Sequence, residues 1–175
     1  VEAGLLLPDR RDGVLFALPS GSEPRGLFNK VRQLPLDGTD SLSALAVLFL
    51  AQGLLLDLEG NITECSGANF VVINDHTIYS PTSRNILQGV SLVTARELAA
   101  KMGWSCVEKD MQPYDVVNAD EAWVTTTPYC LAPVTRINSR PIGSGRPGPR
   151  FAEMMAAWSD LVGVDVLRQI LGDKA

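Results

Sequence analysis

The stretch Leu54–Ser91, LLLDLEGNITECSGANFVVINDHTIYSPTSRNILQGVS, decides the fold. Gly53–Leu58 is an apolar run short enough for a buried strand, and Glu59-Gly60-Asn61 is turn material. Asn61–Glu64 and Asn69–Ile73 read as two further strands, rich in β-branched and apolar residues. Asn74-Asp75-His76 is the tip of a hairpin from which Thr77–Ser80 returns. Strands this close together in sequence pair antiparallel, because a parallel pair needs a long crossover.

Working outward, Gly89–Met102 is expected to be helical. Leu92, Ala95, Ala99 and Met102 fall on one face, Arg96, Glu97 and Lys101 on another, and Gly103 is a C-terminal stop. Trp104–Glu108, Ala122–Thr126, Val134–Ile137 and Arg140–Ile142 are expected strands, and residues 14–18 a short one before the Gly-, Ser- and Pro-rich stretch 19–28. Pro149 suits the first turn of a last helix, whose apolar stripe is Phe151, Met154, Met155, Trp158, Leu161 and Val162. Leu42–Leu50 has only Ser43 as a polar residue, so a helix there has no polar face.

The composition narrows the function. In 175 residues, 46% are hydrophobic and the formal net charge is −5, with eleven arginines and four lysines scattered along the chain. No basic stripe exists, which argues against nucleic-acid binding. The longest apolar run, Ala44–Ala51, is too short for a membrane span. Cys65, Cys106 and Cys130 are odd in number and widely spaced, so neither a disulfide framework nor a zinc site is expected. His76, the only histidine, reads as a solvated turn residue, which leaves no material for a histidine metal site or a Ser-His-Asp triad. No secretory leader is visible at Val1, and the cytoplasm is the expected compartment. The absence of an initiator Met suggests that the sequence begins partway through a longer protein.

Gly143-Ser144-Gly145-Arg146-Pro147-Gly148 spells GxGxxG. A dinucleotide loop must open a helix inside a βαβ unit and have an acidic residue about 20 positions on. Here prolines interrupt it near the end of the chain, so it is read as a turn before the last helix.

Three blocks together resemble the class IV aminotransferases, the fold-type IV family dependent on pyridoxal 5'-phosphate. Asp57, Gly60, Ile62, Glu64, Asn69, Phe70, Pro81, Leu87, Gly89, Val90 and Ser91 match that family's D-x-x-G-x-[IV]-x-E-x-x-x-x-N-[ILF]-F, its hairpin and proline, and its [IL]-x-G-[IV]-[ST] helix start. Val71 stands where the family has Phe. Ala119–Val134, ADEAWVTTTPYCLAPV, matches the second block, and residues 143–149 match G-x-G-x-x-G-P; the likeness covers residues 53–165 in the family's order and spacing. The implied fold is α+β, a pseudo-barrel of mostly antiparallel strands flanked by helices. Residues 1–52 would be the leading, irregular part of the large C-terminal domain and residues 53–175 its cofactor-binding core, with the family's N-terminal small domain absent.

The resemblance also implies roles. Pyridoxal phosphate is an electron sink through its protonated ring nitrogen, and a carboxylate beside that nitrogen keeps it protonated. Glu64 takes that role, against the bland alternative of a solvated Glu at a strand end. Gly89, Val90 and Ser91 open the helix read above from periodicity, and a helix N-terminus offers amides and a favourable dipole to a phosphate; Ser91 is otherwise an ordinary first-turn residue. Thr127 aligns with the family's second phosphate-binding hydroxyl, and Pro128 and Tyr129 follow in the substrate-facing loop. The family's Schiff-base lysine precedes the ring-nitrogen carboxylate by the 34 residues that separate Lys30 from Glu64, and no other lysine precedes Glu64. A solvated loop lysine is the alternative for Lys30.

After Lys30-Val31-Arg32 the family has a polar helix, whereas residues 33–50 keep the length and lose the character. A compensated reading-frame shift, which preserves downstream spacing, is the expected cause. The implied reaction is amino-group transfer between an amino acid, branched-chain first, and a 2-oxo acid, in a homodimeric full-length protein. An aminodeoxychorismate lyase-like enzyme, or a non-catalytic remnant that binds a partner or dimerises, is the alternative. This chain alone is expected to lack transaminase activity, since the family builds its site between two domains.

Overall fold

The computed structural model describes residues 13–18 and 51–171. Lys30 and the 33–50 stretch lie outside them. Among the described residues, nine strands form one sheet: β1 (Gly13–Leu18), β2 (Ala51–Leu56), β3 (Ile62–Cys65), β4 (Asn69–Asn74), β5 (Thr77–Ser80), β6 (Ser105–Glu108), β7 (Glu121–Thr126), β8 (Cys130–Ile137) and β9 (Arg140–Pro141). The order is β3-β2-β1-β8-β7-β4-β5-β6, with β9 on β8. The pairs β2–β3, β4–β5, β4–β7, β7–β8 and β8–β9 are antiparallel. Those of β1 with β2 and β8, and of β5 with β6, are parallel. The helices are α1 (Val90–Lys101), α2 (Pro113–Val117), α3 (Pro149–Val162) and α4 (Val166–Leu171), with a 3-10 turn at Ser83–Asn85. This is the expected α+β architecture of mostly antiparallel strands flanked by helices.

The strand alternation builds two cores. Val71 and Ile73 of β4 and Trp123 of β7 face α1 and α3, packing with Leu92, Ala95, Ala99, Phe151, Met154, Met155 and Trp158. Phe70 and Val72, Ala122 and Val124 point the other way, against Leu54, Ile62, Met111, Val134 and Ile142. β4 is therefore covered on both faces, which is why Asn69–Ile73 reads as a nearly continuous apolar run. Each fully buried Leu, Ile, Phe or Met contributes about 1.5–3 kcal/mol relative to exposure.

Several boundaries differ from the sequence reading. β8 begins at Cys130, not Val134, because Pro133 is tolerated there: β1 pairs with β8 only from Val134 onward, so among the described residues Pro133 has a strand on one side alone. The β8–β9 hairpin turns on Asn138 (φ 47) and Ser139 (φ 68), both left-handed as a two-residue hairpin loop requires. Leu161 and Val162 are half exposed at the end of α3 and do not extend its buried stripe. α2 was not legible from periodicity at five residues; a capping box between Gln112 and Asp115 holds it.

Glu121 links strand to helix. Its side chain is buried on the helix-facing side of β7, where Oε1 accepts the Arg150 amide at 2.7 Å. Oε2 accepts the Phe151 amide at 3.0 Å and the Trp123 indole N–H at 3.1 Å. The preceding N-cap is Gly148, where a Cβ would overlap the Glu121 carboxyl. The carboxylate thus fills the N-terminus of α3 and pins that helix to the sheet. Glu121→Ala leaves three donors without their acceptor, at about 1–3 kcal/mol for each that stays buried. We expect the urea midpoint to fall sharply in Glu121→Ala and also in Gly148→Ala; a midpoint unchanged in both would show that the cap is not a structural anchor.

Candidate active site

β4 starts, β7 ends and β8 begins at one end of the sheet, and α1 starts beside them. The register places Asn69 opposite Thr125, and Thr125 opposite Leu131. Thr126 Oγ1 reaches the carbonyl of Gly67 at 3.4 Å, tying the β7–β8 hairpin to the β3–β4 turn. Thr127 and Pro128 are exposed in that hairpin loop, with Tyr129 half-buried beside them. Cys130 closes the loop with φ 60, a left-handed conformation uncommon for a side chain with a Cβ.

Glu64 and Cys65 are neighbours in β3 with opposite environments. Cys65 is buried in the core between sheet and loops, and burial first, then the Glu64 charge, pushes its thiol up to about 12. Glu64 is only half-buried. Its Oε2 accepts the Asn69 side-chain amide at 3.0 Å and the Leu87 backbone amide at 3.0 Å. Among the described residues nothing bonds Oε1, so one carboxylate oxygen is held and the other is available to an N–H donor.

Asn69, 5% exposed, is the centre of this arrangement. Its Nδ2 donates to Glu64 and also to the Leu87 carbonyl at 2.7 Å. Its Oδ1 accepts the Gly89 amide at 3.2 Å, which the amide shares with Leu87 O at 2.9 Å. Gly89 is the N-cap of α1, and a Cβ there would overlap Asn69 Oδ1. Glycine is needed at 89 for this close approach, since its φ of −67 is open to any residue.

The two long helices start differently. At α3 the first available amides are taken by Glu121. At α1 no side chain caps the helix, and among the described residues the amides of Val90 and Ser91 have no acceptor. Val90 is 76% exposed and Ser91 is buried within the first turn. The partial positive charge of this helix start is therefore open to an anion. The 143–148 loop, by contrast, leads into the filled end; Gly143 (φ 52) and Gly145 (φ 72) serve its turn, and a Cβ at Gly143 would overlap the Asp120 carbonyl.

The structure brings Glu64, Gly89, Val90 and Ser91 together through Asn69, and sets Thr127, Pro128 and Tyr129 on a hairpin anchored beside the same turn. A carboxylate with one open oxygen, and an open helix N-terminus one side chain away, suit a ligand with a ring N–H at one end and a phosphate at the other. Sequence reasoning has Asn69 and Glu121 as pattern matches and misses their work; the available signal was a polar residue among apolar strand positions with a glycine-opened helix downstream. His76 is exposed in the β4–β5 turn, as expected. It lies between Asp75 at 2.8 Å and Arg150 at 2.7 Å, edge-on to Trp104 with ring centroids 5.5 Å apart. No helix among the described residues is long and apolar enough to cross a membrane, and none of their His, Cys, Asp or Glu residues cluster as a metal site would require.

A family model described as amino-transferase class IV matches residues 48–137, just over half of the chain. Over 111 residues the chain is 38% identical to a branched-chain-amino-acid aminotransferase of Pseudomonas aeruginosa, an alignment covering 63% of this chain and 36% of that protein. It is 34% identical over 104 residues to a D-alanine aminotransferase of Bacillus licheniformis, covering 59% and 37%. Among solved structures, a T.th. branched-chain amino acid aminotransferase with pyridoxamine 5'-phosphate superposes with a TM-score of 0.64 at 25% identity, over 88% of this chain and 53% of that one. A 4-amino-4-deoxychorismate lyase of Pseudomonas aeruginosa shares the fold at TM-score 0.62 and 18% identity, over 88% and 58%. The alignments thus span little more than a third of the length of the two curated relatives.

The cysteines test the packing beside Glu64. Cys106 is exposed, whereas Cys65 is buried with its thiol at about 12. Since the thiolate is the nucleophile, iodoacetamide at mildly alkaline pH should modify Cys106 first and reach Cys65 only after unfolding. Early labelling of Cys65, read by peptide mass spectrometry, would contradict the closed core beneath the site.

Proposed function

The chain belongs to the class IV aminotransferases, and on that premise we propose that it holds the cofactor of an enzyme moving an amino group between an amino acid and a 2-oxo acid. The observation that carries this reading is Asn69, which bonds both the Glu64 carboxylate and the amide of Gly89 at the open start of α1. The residues fit pyridoxal 5'-phosphate, which when bound supplies an electron sink for the carbon bearing the amino group. Glu64 Oε1 accepts the ring N–H and favours the protonated ring through its charge. The amides of Val90 and Ser91, with the Ser91 hydroxyl, hold the phosphate at the helix start, and Gly89 leaves room for the approach. Thr127 adds a hydroxyl from the hairpin, while Pro128 and Tyr129 line the substrate side.

Lys30 is the proposed covalent partner of the cofactor and the carrier of the substrate Cα proton; its 34-residue spacing from Glu64 supports this. In this reading residues 1–52 bring the lysine and residues 53–175 form the cofactor-holding core of one domain, with the substrate carboxylate bound by parts of the enzyme beyond this chain. The proposal extends to a cytoplasmic homodimer. Branched-chain amino acids are the first choice of substrate, supported by the 38% identity to the Pseudomonas relative.

Borohydride reduction of the cofactor-loaded full-length protein, followed by peptide mapping, should label Lys30. A label on Lys101, Lys109 or a lysine upstream of this chain would remove Lys30 from the reaction. In the full-length enzyme Glu64→Gln should lower turnover on the order of 10²-fold, the scale seen when one electrostatic partner of a transition state is lost, and lower catalytic efficiency as much. Cofactor retention should change little, because the phosphate contacts remain. Near-normal turnover would leave Glu64 a structural role only. Rates of the full-length protein with L-leucine, L-valine and D-alanine separate the two kinds of relative; a preference for D-alanine would overturn the branched-chain choice.

A further inference from the structure

We propose that Asn69 is a positioning residue that locks the ring-nitrogen carboxylate and the phosphate-binding helix start into one unit, and that only an amide at this position can do so. The inference rests on the reading of Glu64 and α1 as the two ends of the cofactor site. Its basis is the division of labour across the side chain. Nδ2 has two hydrogens and two acceptors, Glu64 Oε2 at 3.0 Å and Leu87 O at 2.7 Å. Oδ1 faces one donor, the Gly89 amide at 3.2 Å.

This set of partners fixes which way the amide points. A flipped amide would set Oδ1 against a carboxylate and a carbonyl, and an N–H against an N–H. Glu64 in turn accepts the Leu87 amide at 3.0 Å, so Glu64, Asn69 and the segment 87–89 close a ring of hydrogen bonds ahead of α1. Among the described residues nothing nearby substitutes for Asn69. Thr125, directly opposite on β7, is 2% exposed and its Oγ1 has no hydrogen-bond partner, so the one neighbouring hydroxyl in the register takes no part. Among the described residues Glu64 is the only titratable side chain bonded to Asn69; Thr125 from β7 and Leu87 and Gly89 before α1 bring no charge.

Aspartate is nearly the same shape and makes a sharp comparison. Ionised, it places negative charge against Glu64 and against the Leu87 carbonyl, with no hydrogen to donate. Protonated, it regains one O–H donor and keeps one acceptor. Asn69→Asp should therefore be defective at neutral pH and recover as pH falls, its protonated fraction rising about tenfold for each pH unit of descent toward its pKa. Asn69→Ala has nothing to protonate and should show no such recovery.

The experiment compares wild type, Asn69→Ala and Asn69→Asp. In the protein without cofactor, amide hydrogen exchange at Leu87 and Gly89 should quicken several-fold in Asn69→Ala, and affinity for inorganic phosphate should fall several-fold. In the cofactor-loaded full-length protein, the pH titration of the visible absorption band should shift in both variants, and turnover relative to wild type should rise toward low pH in Asn69→Asp alone. If Asn69→Ala folds poorly, Asn69→Asp carries the test through its pH profile. Unchanged exchange at Leu87 and Gly89 in Asn69→Ala would overturn the proposal whether or not cofactor binds, and parallel pH profiles for Asn69→Asp and wild type in the loaded protein would overturn it as well. Wild type that takes up no cofactor while exchange responds as expected would instead overturn the functional reading and leave the tie as a purely structural one.

Discussion

A helix leaves its first amides without partners, and what meets those amides decides how this molecule is built. At α3 the buried Glu121 carboxylate takes the Arg150 and Phe151 amides, so the positive end of that helix is spent on holding it to the sheet. At α1 the side chain that reaches the helix start is Asn69, and it takes the N-cap amide of Gly89 rather than those of Val90 and Ser91. One helix end is closed by an internal anion, and the first amides of the other have no acceptor among the described residues. The two share a device: a glycine at the N-cap makes space for a side-chain oxygen that any Cβ would displace.

The sheet makes this possible. β4 is buried on both faces; its far half, Val72–Asn74, pairs with β5, and Asn69 at its start is held by its pairing with Thr125 of β7 and by its own side-chain hydrogen bonds. Glu64 comes from β3 at the far edge of the sheet order, and the short β3–β4 connection brings it back across to Asn69. The hairpin bearing Thr127–Tyr129 is tied to that same connection through Thr126 and Gly67. Rigid strands thus position three short irregular segments at one end of the domain, where loop residues can serve a ligand without bearing on the core.

Charge is used sparingly here. Arg96 joins Glu108 at 2.9 Å and Arg84 joins Asp110 at 2.8 Å, both at the surface, where such pairs contribute little. Arg150 sits between His76 and Glu153, beside the Trp104 ring. Asp57 is different in kind: although burial opposes it, bonds from Asn61 and Glu59 lower its pKa and fold the β2–β3 turn around Gly60 (φ 83). The end of the domain that carries Glu64 and Asn69 is likewise shaped by hydrogen bonds to a carboxylate and between neutral groups, which fix direction as well as distance.

The amino-acid order alone determined a good deal. Alternation and turn residues placed β4, β5 and α1 within a residue or two, because those signals are local: a strand's period, an Asp-His turn, a glycine stop. The chemistry came by another route, the resemblance to the class IV aminotransferases that Asp57, Glu64, Asn69 and Gly89-Val90-Ser91 carry as an ordered set. The parallel pairs of β1 with β2 and β8, and the start of β8 before Pro133, were decided by tertiary structure, since a proline's missing N–H matters only when a neighbouring strand is there to need it. So was the choice between two glycine-opened helix starts. Both read alike in sequence, and only the fold shows Glu121 filling one and Asn69 leaving the other open, because the partner lies 29 residues away across the sheet for Arg150 and 20 residues away for Gly89.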